Sequence, residues 1–398
     1  MNLPGESYFI SAGEYSGDLL AAELVRELNS KLDIRPFGVV GESMKLAGVE
    51  ELIHLKELSI MGVVDVLKNL SHIKKIENQV IEQIKSKKPK FAILVDFPGF
   101  HFRLAKKIKK LGIPVYQYVA PKVWAWGQSR VKKLRRDFEM VLGVLPFEKE
   151  FFESNGVNYR YVGSPHLDRV LEMEQQTNFS SHKETIDGAV VGILPGSRKS
   201  ELTRILPTML AVVDELKKRH QSHLEFIMPL APNLTIDDLR QCLPNSFQVE
   251  YRQSEDSYYL GPVKIIFGKS LETMALVDAG LLASGTATLE CAIVGTPMVV
   301  MYALDSFSYL LARMFVKVKF ISLVNLLLNR EVVKEFIQNL PVSSISDEVS
   351  ALIYNPSHRE SVLAELGVLR KSMTPMAAKH AADILVEDLQ GKGFLRGV

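Results

Sequence analysis

Residues 281–295, LLASGTATLECAIVG, join a short apolar run to a helical one through Ser-Gly-Thr, a pattern that suits phosphate binding. Amides and hydroxyls of Ser284, Gly285, Thr286 and Thr288 would collect at a helix N-terminus, where the dipole favours an anion. Glu290, one turn further on, is placed to accept two hydrogen bonds from a ribose diol. The same residues also suit a capped helix without ligand, because Ser and Thr are ordinary N-cap residues. A second loop weighs in favour of the anion. Residues 194–198, LPGSR, again lead from an apolar run into a helical one, with Glu201 in its first turn. Arg198, beside Ser197, would neutralise a diphosphate, since a guanidinium binds two phosphate oxygens at once and counts most as a phosphate departs. A solvated surface arginine is the alternative.

Two carboxylates stand at comparable places in the first half. Asp96 follows the apolar run FAILVD (91–96), and Glu14 lies in the Gly-rich turn AGEYSGD (12–18), where Gly13, Ser16 and Gly17 let a substrate approach the backbone. Either carboxylate would serve as a general base. The turn lacks G-x-G-x-x-G spacing and a P-loop lysine, so neither NAD nor ATP binding is supported. Trp124 and Trp126 fall within one loop, PKVWAW (121–126), and could wall a sugar or acyl pocket or pack structurally. The cations that follow, Arg130, Lys132, Lys133, Arg135 and Arg136, suit a phosphorylated acceptor, anionic lipid heads or a solvated helix face. No Asp-x-Asp pair or His cluster offers a metal site, so no metal or other cofactor is expected.

These loops need strands to carry them. Short apolar runs alternate with amphipathic helical patterns, as parallel α/β domains require. The first series reads SYFISA (7–12), FAILVD (91–96), PVYQYVA (114–120), MVLGVL (140–145) and YRYVG (159–163); the second reads AVVGILP (189–195), LEFIMPL (224–230), KIIFG (264–268), AGLLA (279–283) and PMVVMY (297–302). A helix is expected over residues 18–30. Polar, non-periodic residues 175–187 read as the interdomain linker. The expected division is an N-terminal domain over 1–180 and a C-terminal domain over 188–364, with helices near 365–398 crossing back onto the first.

At 398 residues, 47% hydrophobic and 24% charged, the chain has the size for two cores and the composition of a globular enzyme. A net charge of +2 gives no reason to expect a nucleic-acid partner. The two cysteines, Cys242 and Cys291, have no metal or redox spacing and suit a reducing cytoplasm. The N-terminus lacks the charge and apolar run of a signal peptide. Residues 307–329 are the most apolar stretch, yet Arg313, Lys317 and Lys319 interrupt them; a surface touching an anionic bilayer, or a core helix pair, fits better than a span.

Seven segments, taken in order, resemble the motifs of the lipid-A-disaccharide synthases: AGEYSGD (12–18), MGVVDVLK (61–68), VDFPGF (95–100), PKVWAW (121–126), LPFEKEFF (145–152), LPGSRKSE (194–201) and SGTATLE (284–290). The resemblance covers nearly the whole chain. It implies an inverting glycosyltransferase of α/β class and GT-B architecture, two Rossmann-like parallel-sheet domains facing a cleft. It also implies transfer of 2,3-diacylglucosamine from its UDP derivative to 2,3-diacylglucosamine 1-phosphate. Asp96 is then the first choice of base and Glu14 the second, with Arg198, Ser197 and the Ser284–Glu290 segment on UDP. Apolar segments around Met61, Val64 and 307–328, and Asn325, would meet acyl chains. The enzyme is expected in the cytoplasm, bound peripherally to the inner membrane, with a homodimer left open. The chain departs from the family at Gly99 and His101, where Asp and Asn are frequent, at Ser164, where His is, and at Val324, where Pro is. A UDP-sugar 2-epimerase and a non-catalytic lipid- or nucleotide-binding protein are the rival readings.

Overall fold

The structure is a computed structural model that describes residues 6–59, 70–125, 127–176, 188–220, 224–244, 246–305 and 319–395. The chain forms two compact units, one of Met1–Pro165 with Thr374–Val398 and the other of His166–Met373.

The N-terminal unit is built on β1 (Ser7–Ala12), β2 (Arg35–Val40), β3 (Glu50–His54), β4 (Ala92–Val95), β5 (Val115–Tyr118), β6 (Met140–Gly143) and β7 (Tyr159–Tyr161). They pair in the order β3-β2-β1-β4-β5-β6-β7. Every pairing is parallel. Helices cover both faces of such a sheet, so β4, β5 and β6 are buried throughout and read as unbroken apolar runs. β3 escapes that pattern. As an edge strand, EELIH buries only one of its five residues and does not look like a strand in sequence. The chain returns to this unit at Thr374, and the Ala377–Gly391 helix packs on the Tyr15–Asn29 helix. Asp388 accepts from the Tyr116 hydroxyl at 2.7 Å, and Asp383 pairs with Lys31 at 2.9 Å.

The C-terminal unit carries β8 (Ala189–Leu194), β9 (Leu224–Leu230), β10 (Val249–Arg252), β11 (Ser257–Leu260), β12 (Val263–Phe267), β13 (Ala279–Ala283), β14 (Met298–Tyr302) and β15 (Lys334–Ile337), in the order β10-β11-β12-β9-β8-β13-β14-β15. The sheet is parallel from β12 to β15. β10 and β11 add an antiparallel edge that the sequence pattern does not announce. The boundary also differs from the expected 180/188. Beyond Pro165, the Pro165–Gln176 helix belongs to this unit, tied by a two-pronged pair of Glu174 with Arg370 at 2.8 and 2.7 Å. The Pro356–Lys371 helix stays with this unit as well, so the crossing back begins at Thr374 rather than near 365. The expected linker lies mostly in 177–187, outside the described residues.

Among the buried titratable side chains of the N-terminal unit are His101 and Glu148. His101 is fully buried, its Nδ1 2.7 Å from the Asp96 carbonyl oxygen and its Nε2 2.9 Å from Ser11 Oγ. Because a carbonyl only accepts, Nδ1 carries the proton and Nε2 accepts from the Ser11 hydroxyl. Burial pulls this imidazole down to about 4. Glu148, also buried, accepts from Trp124 Nε1 at 2.9 Å and from the Tyr159 hydroxyl at 3.3 Å. Burial pushes its carboxyl up to about 7, against those hydrogen bonds and the Lys122 charge, which lower it.

The two groups act on stability in opposite directions. Unfolded, His101 takes up a proton near pH 6.5 that the folded protein refuses until about 4, so its contribution is complete above 6.5 and is lost as pH falls toward 4. Folded Glu148 keeps its proton to about pH 7, whereas the unfolded group releases it near 4.5; its contribution is complete below 4.5 and is lost as pH rises toward 7. Relative to wild type, Glu148→Gln should therefore make stability rise more steeply with pH between about 5 and 6.5, by up to about 1 kcal/mol per pH unit. His101→Asn should do the reverse. Urea melts of the three proteins across that range check the signs, and slopes that change in the same direction in both variants would refute them.

Candidate active site

In a parallel sheet, ligands gather at the carboxyl edge where the strand order reverses. In the N-terminal unit that point lies between β1 and β4, whose last residues, Ala12 and Val95, are in register. Gly13-Glu14 and Asp96-Phe97 therefore leave the sheet side by side. Asp96 and Phe97 both adopt left-handed backbone, with φ of 51° and 48°. Aspartate tolerates this region better than most residues; for a phenylalanine it costs about 1–2 kcal/mol. Several contacts hold the turn. Asp96 N donates to the Tyr118 carbonyl at 3.0 Å, and the Asp96 carbonyl accepts from His101 Nδ1 at 2.7 Å and Gln117 Nε2 at 3.3 Å. The Phe97 ring lies over Gly13, where a Cβ would come within 2.1 Å of it, so only glycine permits this packing.

Glu14 is exposed at the head of the Tyr15–Asn29 helix, in extended backbone, and its side chain does not cap that helix. Ser16 is exposed beside it, while Gly17 is buried and packs in ordinary contact with Ala12 and Val95. Asp18 is structural: its carboxylate accepts from the amides of Gly41 at 2.8 Å, Ser43 at 2.9 Å and Met44 at 3.3 Å. Trp124 is half-buried, with its indole N–H turned to the buried Glu148 and its ring edge-on to Phe147 at 4.9 Å. It anchors its loop to the core. Tyr159 completes this anchor from β7, and its hydroxyl occupies space that any Cβ at Gly143 would fill, 1.9 Å away. Met61, Val64 and Trp126 lie outside the described residues. Lys132, Lys133, Arg135 and Arg136 are exposed on the Val131–Asp137 helix, with Arg136 paired to Asp137 at 2.6 Å.

The C-terminal unit repeats the arrangement. Its order reverses between β8 and β13, and Leu194 is in register with Leu282, so the loops after Leu194 and Ala283 emerge together. Gly196 has φ of 104°, and Glu201 folds back over it. One oxygen of Glu201 accepts from the amides of Ser197 at 3.0 Å and Arg198 at 3.3 Å, and Asn233 Nδ2 donates to the Ser197 carbonyl at 2.9 Å. The Ser197 amide is thus engaged with Glu201, and the residue is exposed. The loop offers an anion the Arg198 guanidinium, whose side chain is 63% exposed.

Gly285, in extended backbone, precedes the Thr286–Val294 helix, and no side chain caps that N-terminus. Gly285 and Thr286 are exposed. The hydroxyls of Thr288 and Ser284 turn inward instead, to the carbonyls of Gly285 at 2.8 Å and Ile321 at 3.3 Å. Glu290 is buried, and its Oε1 accepts from His166 Nδ1 at 2.9 Å and from the Arg169 guanidinium. Sequence reading missed these two partners, which come from a helix more than a hundred residues away. Asn325 is fully buried, with its amide bonded to Val333, Glu335 and the amides of Val332 and Val333, which makes it a brace within this unit rather than an acyl contact. Phe320 is buried too, with Lys319 Nζ 5.1 Å from its ring centre.

Comparison with known proteins agrees with this architecture. A family model described as lipid-A-disaccharide synthetase matches residues 8–364. The chain is 36% identical over 382 residues to the lipid-A-disaccharide synthase of Myxococcus xanthus (strain DK1622), covering 95% of this chain and 96% of that one. It is 34% identical over 395 residues to that of Nitrosococcus oceani, covering 97% of each. Among solved structures, the UDP-GlcNAc 2-epimerase from Neisseria meningitidis bound to UDP-GlcNAc overlays with a TM-score of 0.61 at 15% identity, over 97% of this chain and 99% of that one. CalG4, the calicheamicin glycosyltransferase, does so with 0.55 at 14%, over 98% and 99%. At such identities the structural likeness speaks for the GT-B fold alone, whereas the family model and the relatives span nearly the whole sequence: the chain belongs to the lipid-A-disaccharide synthase family and is a glycosyltransferase.

Proposed function

We propose that the chain transfers 2,3-diacylglucosamine from its UDP derivative to 2,3-diacylglucosamine 1-phosphate, giving the β-1,6-linked disaccharide 1-phosphate and UDP. The observation that supports this reading most is the placement of exposed Arg198 and an uncapped helix N-terminus at one switch point, in a member of a glycosyltransferase family. The acceptor 6-hydroxyl oxygen attacks the anomeric carbon while the bond from that carbon to the β-phosphate oxygen breaks, so configuration inverts. The hydroxyl proton passes to a carboxylate, and the bonding pair leaves with UDP. Asp96 is the first choice of base, since its backbone is fixed from three sides, and exposed Glu14 on the adjoining turn is the second. Arg198 and the Thr286–Val294 helix dipole meet the charge of the leaving group, and Glu290 takes the ribose hydroxyls. These groups do what a metal would otherwise do, so the mechanism includes none.

The lipid substrates place the enzyme at the inner leaflet, held peripherally. Among the described residues no helix is long and apolar enough to cross a membrane. The exposed cations Lys132, Lys133 and Arg135 supply attraction for anionic head groups, and the apolar segments of 61–67 and 307–318, outside the described residues, supply acyl contact. Buried Phe320 and Asn325 take no part.

UDP release from diacylated donor and acceptor tests the reading. Arg198→Ala should lower turnover by about two orders of magnitude, because one charged donor to a leaving group is worth about 3 kcal/mol. The wild-type rate should persist in EDTA. Near-normal turnover in folded Arg198→Ala, or a chelator loss restored by Mg²⁺, would overturn the leaving-group assignment. Asp96→Asn should keep donor binding and slow the chemical step by roughly two to four orders of magnitude; if Glu14→Gln alone does so, the base is Glu14. Replacing Lys132 and Lys133 with Gln should weaken binding to anionic vesicles by roughly 30-fold, at about 1 kcal/mol per charge. Unchanged vesicle binding would remove this helix from the membrane surface.

A further inference from the structure

His101 is fully buried, and it bonds both the Asp96 turn and the strand beside it. It enters from the end of the first turn of the Pro98–Lys109 helix, whose N-cap is the left-handed Phe97. One ring nitrogen holds the carbonyl of Asp96 and the other holds Ser11 on β1, the neighbouring strand of the switch point. Its ring also packs against Phe97 and Phe100, at centre distances of 5.9 and 5.8 Å. A single neutral tautomer satisfies both hydrogen bonds, with the proton on Nδ1.

We infer that His101 is the positioning residue for Asp96: by holding the carbonyl of a left-handed residue from inside the core, it fixes the direction in which the strand end presents its carboxylate. The inference rests on Asp96 being the base. Without the imidazole, the Asp96 carbonyl loses its partner at 2.7 Å while Gln117 stays at 3.3 Å, and the left-handed pair loses a bond that opposes its relaxation toward ordinary backbone. A small displacement of a base from its proton is enough to slow a reaction strongly. Asparagine carries a side-chain N–H that can serve the same carbonyl; leucine fills the space and donates nothing.

The test uses the full chain, the UDP-release assay and four variants, with thermal melts to establish folding. His101→Leu should lower kcat by about 10- to 100-fold while donor KM stays within about twofold, and His101→Asn should recover most of the loss. In an Asp96→Asn background, His101→Leu should cost nothing further, because the group it positions is gone. If folded His101→Leu turns over like wild type, or lowers kcat equally in both backgrounds, the positioning role is wrong even though Asp96 remains the base. Near-normal turnover of Asp96→Asn itself overturns the base assignment, and the inference with it. Should His101→Leu fail to fold, Ser11→Ala removes only the hydroxyl that fixes Nε2, and the same two backgrounds should show a smaller loss confined to the Asp96 form.

Discussion

Each parallel strand must be reached by a crossover, and where the winding reverses, two adjacent strands send their chains to opposite faces of the sheet. The carboxyl edge between them stays open because no helix can close over it. Both units obey this constraint, at β1/β4 and at β8/β13. All of the chemistry assigned to the chain hangs on those two pairs: Glu14 and Asp96 leave the first, and Arg198 and the Thr286–Val294 helix leave the second. The sheets thus decide which residues can cooperate before any side chain is considered.

An open edge leaves backbone polar groups exposed, and the protein shapes each loop by supplying partners from within. Glu201 collects two amides of the loop after β8, beside Gly196 at φ of 104°, and its other oxygen lies 3.5 Å from the exposed Arg198 guanidinium. His101 and Gln117 collect the carbonyl of Asp96. Glu148 collects the indole of Trp124 and the hydroxyl of Tyr159. Buried polar groups are expensive unless paired, and here the pairing sets loop geometry. Titratable side chains become sealed in the core as a result, with one imidazole pulled down and one carboxyl pushed up.

What could be read in the sequence follows from the same physics. Strands buried on both faces, such as AILV in β4 and AGLLA in β13, announce themselves by continuous apolarity. Edge strands such as β3 and β10 are half-solvated and carry no such signal. The loops that bear Glu14, Asp96, Arg198 and Thr286 are legible because a Gly- or Pro-containing turn directly after an apolar run marks the end of a buried strand, where the chain must leave the sheet. The inward groups are not. Thr288, Ser284 and Asn325 have the residue types of a binding site, and only burial shows their hydrogen bonds used inside the fold. His101 is visible in sequence only as a departure from a family pattern, because its partners Ser11 and Asp96 are brought to it by strand register.

Glu290 shows how far this internal support extends. A carboxylate with 6% of its surface exposed would be costly alone. Arg169 and His166 come from the helix that opens the C-terminal unit, and both reach the same oxygen, Oε1; Oε2 takes no hydrogen bond among the described residues. One oxygen fixed by cation and imidazole, with the other left over, is a suitable arrangement for receiving hydroxyl donors, because the carboxylate plane is set before a ligand arrives and little side-chain entropy remains to be lost. The whole cluster lies within one unit, so the setting of Glu290 is organised by that unit's own fold. Moving the domain boundary from residue 180 to 165 therefore has a chemical reason as well as a topological one: the helix that begins there carries the partners of Glu290.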